Sequence, residues 1–299
     1  MVRPIEIAVI SGKGGTGKTV LTSSLIRLMD SKTMADCDVE APNLHLLLKT
    51  AVRREEAFHD SRIAVIDRDT CSDCGECFRV CRFDAVREKE AQDGWWYSID
   101  HLSCDGCAAC ALICPQGAVQ MTQPPAGAWY VSDSQMGPLV HATLAVAHKN
   151  SENLVKIVRR EARRAAAGEG LRYVIIDGPA GIGGPVIAAI IGVSLAVVMT
   201  EPTLSGIHDL RRVIRLVQQL GIRCAAVINK YDLNPGLALE TEEYLSARGV
   251  PLFGKIPFST RVNKAIADGE FIVDVADDPA AEEIRKVAVR IIRMLTEQP

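Results

Sequence analysis

Short apolar runs rich in β-branched residues alternate with helical segments along most of this chain. That alternation predicts an α/β fold built on a doubly wound, mostly parallel sheet. The first run enters a glycine-rich loop and then a helical stretch, the order strand, loop, helix. The stretch 62–123 breaks the rhythm with a cysteine-rich repeat, which predicts a small inserted α+β domain. The first apolar run covers 5–10, and the helix after its loop covers about 18–29. Further runs at 173–176, 195–199, 224–228 and 251–256 are bounded by turn residues and read as buried strands. Helical segments fall near 151–167, 205–220 and 237–248. The expected division is 1–59 and 126–299 for the two parts of the α/β domain, with 60–125 as the insert.

The chain has 299 residues, 48% apolar and 24% charged, ordinary for a globular protein. Its 34 basic and 37 acidic residues give a net charge of −3, a balance that gives no support for nucleic-acid binding, and no nucleic-acid partner is expected. Its opening apolar stretch is too short for a secretion signal and runs into glycines. The longest apolar run, 185–199, is broken by Gly192 and Ser194 and falls short of the roughly 20 residues a membrane span needs. A soluble, cytoplasmic chain is expected. The stretch 60–125 holds six basic and eleven acidic residues, a net of −5 that leaves +2 for the remainder. The insert therefore reads as a separate acidic domain.

Residues 12–19 read Gly12-Lys13-Gly14-Gly15-Thr16-Gly17-Lys18-Thr19. This is the G-x-x-x-x-G-K-[ST] phosphate loop without a mismatch, between a strand and a helix as the motif requires. Glycines let backbone N–H groups turn inward around phosphate oxygens, and the helix N-terminus adds partial positive charge. Lys18 is placed to reach the β- and γ-phosphates, and the Thr19 hydroxyl to bind Mg²⁺. A bare glycine turn explains the glycines alone but not the Lys18-Thr19 that closes them.

The variant with a lysine at position 13 resembles the deviant Walker A loop of the MinD, ParA and nitrogenase iron-protein group. Ala35-Asp36-Cys37-Asp38 resembles that group's switch I. Tyr173-Val-Ile-Ile-Asp177-Gly178-Pro179 resembles its Walker B and switch II, and Asn229 its adenine-contacting asparagine. The resemblance implies ATP hydrolysis in a homodimer formed with ATP. In it Lys13 reaches the partner's nucleotide, Asp38 orients the attacking water, and Asp36 and Asp177 support Mg²⁺ through waters. Family members commonly carry a second proline after Pro179, where this chain has Ala180. Asn229-Lys230-Tyr231-Asp232 also fits Asn-Lys-x-Asp, the guanine-reading motif of GTPases, so GTP stays open beside ATP. Asp232 could equally cap the following helix.

Eight of the ten cysteines lie between Cys71 and Cys114. The pattern C-x2-C-x2-C-x3-C occurs twice, offset by 33 residues, and Ile66-Asp67 recurs as Ile99-Asp100. In this run the fourth cysteine of each set ligates the other cluster. Cys71, Cys74, Cys77 and Cys114 are thus assigned to one 4Fe–4S cluster, and Cys104, Cys107, Cys110 and Cys81 to the other. Zinc sites usually separate two C-x2-C pairs by a longer spacer, and the cytosol disfavours disulfides. Pro115 follows the second run, whereas Arg82 stands after the first. Cys37 and Cys224, outside the insert, read as small buried hydrophobes. Trp95-Trp96-Tyr97, between the repeats, reads as a hairpin over a cluster. None of the six histidines falls in a ligand-like pair, and His141 stands out only because a segment like Met136-Gly-Pro-Leu-Val-His141 recurs in the resembled group.

The whole order resembles MinD-superfamily ATPases with an inserted bacterial-type ferredoxin domain. Asp38-Val-Glu-Ala-Pro-Asn43 and Thr200-Glu-Pro-Thr-Leu-Ser-Gly-Ile-His208 carry the same likeness. The leading expectation is nucleotide-driven dimerisation or conformational change coupled to electron transfer to a redox partner protein. Two alternatives stand beside it, an ATP-regulated carrier of iron–sulfur clusters and a MinD-like positioning ATPase. The amphipathic stretch 280–296 is expected to pack on its own sheet, so a membrane role is not expected.

Overall fold

A computed structural model of the chain describes residues 3–60, 62–91, 94–145 and 151–296. The strands are β1 (Ile5–Ser11), β2 (Lys32–Asp36), β3 (Ala51–His59), β4 (Ile63–Ile66), β5 (Val86–Ala91), β6 (Gly94–Ile99), β7 (Val119–Thr122), β8 (Pro125–Ser134), β9 (Gly137–Leu144), β10 (Tyr173–Ala180), β11 (Leu195–Thr200), β12 (Cys224–Asn229) and β13 (Leu252–Ile256). The helices are α1 (Lys18–Leu28), α2 (Leu44–Leu47), α3 (Glu76–Val80), α4 (Ala109–Ile113), α5 (Ser151–Gly168), α6 (Gly184–Ile190), α7 (Leu204–Gln219), α8 (Pro235–Ala247), α9 (Thr260–Asp268) and α10 (Pro279–Thr296).

Two compact units result, one within 1–56, 129–143 and 151–299, the other within 57–128 and 144–150. Among the described residues, nine strands form one sheet in the order β13-β12-β11-β1-β10-β2-β9-β8-β3. β1 pairs in parallel with both β10 and β11, and the parallel ladder continues through β12 and β13 on one side and β2 and β9 on the other. Strands covered by helices on both faces must be apolar throughout, and Ile7, Ala8, Val9 and Ile10 of β1 are all fully buried. The loops after β1, β2 and β10 therefore open at the carboxyl edge of the sheet, where open α/β sheets bind ligands.

Leu21, Leu25 and Ile26 of α1 share the main core with Ile284, Val287, Ile291 and Leu295 of α10. The apolar stripe of α10 is thus occupied by the chain's own sheet. No described helix is long and apolar enough to cross a membrane. The alternating rhythm of 5–59 and 126–299 predicts β1, β10, β11, β12 and β13, but not β3, β8 or β9. β3 is exposed at eight of nine positions, and its Val-Arg-Arg-Glu-Glu core carries no buried apolar run to read.

In the smaller unit the chain runs β4-α3-β5 and then β6-α4-β7. β4 pairs antiparallel with β7, and β5 with β6, so each half exchanges a strand partner with the other. The repeat extends to single hydrogen bonds. Asp67 N–H donates to Ala118 O at 2.8 Å, and its counterpart Asp100 N–H to Ala85 O at 2.7 Å. The carboxylate of each aspartate then takes a hydroxyl three residues on, Thr70 at 2.6 Å and Ser103 at 2.9 Å. Left-handed backbone recurs at the same offset, at Asp73 and Gly106, Gly75 and Ala108, Asp84 and Gly117. A small core of Ala64, Cys77, Val86, Tyr97 and Val119 sits between the halves.

Candidate functional site

The phosphate loop leaves β1 at Ser11. Two of its glycines are required by close neighbours. A Cβ on Gly12 would stand 2.5 Å from Asp209 Cβ, and one on Gly17, at φ +92°, 2.5 Å from Asn229 Nδ2. Gly14 and Gly15 face open space, and Gly15 at φ +77° turns the backbone to make a cradle. Thr16 is buried, yet its Oγ1 has no hydrogen-bond partner among the described residues. An orphaned hydroxyl in a phosphate loop is a group that an incoming oxygen can satisfy. Lys18, buried at the start of α1, completes the cradle.

Behind the loop, Thr19 Oγ1 donates to Asp177 Oδ2 at 2.7 Å and Thr22 Oγ1 to Asp177 Oδ1 at 2.9 Å. Burial pushes the Asp177 carboxyl up to about 6, against those two hydroxyls and the charge of Lys18. Burial and then the Asp177 charge push Asp36 well above its ordinary value. Asp36 spends its oxygens on backbone, taking Asp38 N–H at 3.2 Å, Asn43 N–H at 3.0 Å and Leu44 N–H at 3.1 Å. It pins the loop after β2 and leaves Asp38 half-buried, with burial raising the Asp38 carboxyl and Lys18 opposing.

At the opposite end, Asn229 Nδ2 donates to Thr16 O at 2.9 Å and its Oδ1 accepts Lys230 N–H at 3.0 Å. Asp232 Oδ1 takes Phe258 N–H at 2.7 Å, so half of the carboxylate that a guanine would need is spent on backbone. Lys13 is turned back onto its own chain. Its Nζ lies 2.5 Å from Glu201 Oε1 and donates to Thr203 Oγ1 at 3.1 Å.

In the smaller unit, Cys81, Cys104, Cys107 and Cys110 line one concavity together with Phe83, Val86 and Ile99. Cys77 belongs to the small core, and Cys81, Cys104, Cys110 and Cys114 pack against it. Cys71 is half-buried and Cys74 exposed. Burial raises the Cys81 and Cys114 thiols, but backbone N–H groups outweigh it and hold both below their ordinary value. Phe83, Val86 and Ala85 supply them at Cys81, and Gln116, Val119, Ala118 and Gly117 at Cys114. Among the described residues, however, no three His, Cys, Asp or Glu side chains stand together as a site for a single ion. Neither four-cysteine set meets that description. A four-iron cluster takes each thiolate on a different iron, so its ligands do not need to converge as those of one ion do.

The CobQ/CobB/MinD/ParA nucleotide-binding domain model matches residues 7–273. This chain belongs to that family. Its members of MinD/ParA type are P-loop nucleoside triphosphate hydrolases, and the large, mostly parallel sheet is theirs. An uncharacterised protein of Methanocaldococcus jannaschii is 31% identical over 287 residues, 95% of each chain. A putative septum site-determining protein MinD of Chlorella vulgaris is 26% identical over 89% of this chain and 77% of its own length. Among solved structures, MinD of Pyrococcus horikoshii with Mg-ADP aligns with TM-score 0.57 at 16% identity, over 98% of this chain and 97% of that one. Cyanothece McdA(D38A) with ATP aligns with TM-score 0.56 at 14% identity, over 100% of this chain and 99% of that one.

Within this MinD/ParA-type chain the structure brings Gly12, Gly14, Gly15, Thr16, Gly17, Lys18, Thr19, Asp36, Asp38, Asp177 and Asn229 to one edge of the sheet. Lys13 stands with them but is engaged in cis. Cys37 is fully buried, and Trp95-Trp96-Tyr97 lies on β6 of a hairpin with Tyr97 alone buried. His141 stacks on His45 at 5.0 Å and shares a hydrogen bond of 3.0 Å with Ser132, and burial beside His45 holds it down at about 4. Two site residues escape sequence reasoning. Thr22 sits one turn after Thr19, a spacing that would have shown it. Glu201 lies in the quoted Thr200-Glu-Pro-Thr turn but gains its role only from lysines distant in the chain.

Proposed function

We propose that this chain is a Mg²⁺-dependent ATP-hydrolysing switch of the MinD/ParA type that works as an ATP-bound homodimer. The observation that carries the reading is the Thr19–Asp177 hydrogen bond behind a phosphate loop whose buried Thr16 hydroxyl has no partner. Lys18 neutralises charge on the transferred phosphoryl group, and Asp38 aligns the attacking water. Lys13 adds positive charge from a second copy. Mg²⁺, held by Thr19 and through water by Asp36 and Asp177, would neutralise the phosphate oxygens. Asn229 lies beside the base. The engaged carboxylate of Asp232 favours adenine over guanine.

Relatives with a stated role include septum site-determining MinD proteins, and this supports a positioning ATPase better than it supports an electron-transfer protein. A specific observation still favours a second element, the inserted ferredoxin-like domain at 60–125. Its repeat recurs in matched hydrogen bonds at Asp67 and Asp100 and in three pairs of left-handed turns, and four cysteines share one concavity. We propose that Cys71, Cys74, Cys77 and Cys114 hold one 4Fe–4S cluster and that Cys104, Cys107, Cys110 and Cys81 hold another. Such clusters would supply one-electron chemistry toward a redox partner protein, or in a carrier would be handed on.

Anaerobic purification with iron counting and an ATPase assay tests both elements. About eight iron atoms per chain, with spin-resonance signals on reduction, supports the clusters. ATP hydrolysis with no iron sinks them and leaves the positioning switch. Iron without hydrolysis sinks the switch. Loss of iron to an apo-acceptor points to the carrier.

A further inference from the structure

Glu201 follows β11 at the mouth of the nucleotide site and takes a lysine on each carboxylate oxygen. Lys13 Nζ lies 2.5 Å from Oε1 and Lys230 Nζ 3.2 Å from Oε2. The two lysines come from opposite ends of the site, Lys13 from the phosphate loop and Lys230 from the loop that starts at Asn229. Asn229 closes the circuit, since it is bonded to Thr16 O and to Lys230 N–H. Lys230 holds a left-handed backbone conformation, φ +54°, that side-chain-bearing residues rarely adopt. Burial works against the Glu201 charge, but both lysines outweigh it and hold the carboxyl below its ordinary value.

We propose that Glu201 is a positioning residue for Lys13, holding it in cis in the isolated chain, and that Lys230 is the counter-ion that makes its release possible. The inference rests on the reading above that Lys13 serves a second copy's nucleotide. When Lys13 leaves, a half-buried carboxylate must keep a partner or carry part of the cost of an unpaired charge. Lys230 already lies on the other oxygen, so Lys13 departs without stranding Glu201. Removing the carboxylate leaves Lys13 only the uncharged hydroxyls of Thr203 and Ser205, a weaker hold. Removing Lys230 leaves Lys13 as the sole counter-ion and tightens the cis grip.

The two substitutions therefore act in opposite directions, which a merely structural role does not produce. The test is sedimentation equilibrium of the full chain with Mg²⁺ and a non-hydrolysable ATP analogue. Glu201→Gln should tighten self-association about tenfold, and Lys230→Gln should weaken it about tenfold, each a change of about 1.4 kcal/mol. The double variant should follow Glu201→Gln, because Lys230 matters only while the carboxylate is there. If the wild-type chain does not self-associate with the analogue, the dimer reading falls and this inference with it. If the wild type associates and Lys13→Ala does not, but Glu201→Gln and Lys230→Gln both match the wild type or both weaken it, the latch alone is overturned.

Discussion

The Asp36–Asp177 pair predicts a pH dependence of stability that runs against the usual behaviour of carboxylates. Asp177 is fully buried and raised from 3.8 to about 6, and Asp36 beside it is raised as well. Lys18 is the cation facing them, and Asp38 adds a further negative charge. A carboxyl raised in the folded state binds more protons folded than unfolded between those two values. Its contribution is fully present below about 3.8 and is lost as pH rises through about 6. The separation corresponds to about 3 kcal/mol at neutral pH. Asp177→Asn removes that titration while keeping an acceptor for one threonine. Urea unfolding without Mg²⁺ or nucleotide, from pH 4.5 to 7.5, should show the variant gaining on the wild type as pH rises, by about 2 kcal/mol of that total. Carboxylates remote from the pair cancel in the difference, and Asp36, relieved of the Asp177 charge, shifts it in the same direction. A gap that stays flat across this range would refute the argument.

Lys18→Ala should abolish nucleotide binding while leaving iron content unchanged, since the phosphate loop and the cysteines belong to separate units; calorimetry and iron counting check it, and loss of iron would contradict the separation. Asp38→Ala should bind ATP near normally but hydrolyse it at least about 100-fold more slowly, because water alignment acts on the transition state. Normal turnover would remove Asp38 from that role. Asp232→Asn should leave ATP preference intact, because an asparagine oxygen can still accept from Phe258 N–H. A gain of xanthosine triphosphate binding in competition assays would instead make Asp232 a reader of guanine.

What could be read from the sequence follows from where the information sits. The phosphate loop was legible because its chemistry fixes both residue type and spacing. Strands β1, β10, β11, β12 and β13 were legible because burial on both faces forces continuous apolar runs. β3 was not, since an exposed edge strand is held by backbone pairing and places little demand on side chains. The cysteine repeat was visible as spacing, and its meaning as geometry became clear only through Asp67 and Asp100, whose side chains set matching turns. That Asp36 holds loop backbone rather than facing outward was invisible, because its partners are N–H groups that every residue carries. Glu201 was hidden for a related reason. A carboxylate after a strand is unremarkable until the fold brings two lysines to it.

The nucleotide edge also explains why so much unfavourable electrostatics persists in one place. Asp36 and Asp177 are buried like charges, and Thr16 carries a buried hydroxyl with no partner. Each is costly in the isolated chain. On the reading proposed above, each would be relieved by the same arrival, a divalent cation at the carboxylates and a phosphate oxygen at the hydroxyl. The free energy lost in the isolated chain would then become differential affinity for the nucleotide-bound state, which is the quantity a switch requires. A site in which every group was already satisfied would bind nucleotide and change little. Lys13 follows the same logic at the mouth of the site. Its tie to Glu201 keeps a positive charge from standing free, and in the latch proposed above Lys230 would keep the carboxylate paired once Lys13 leaves.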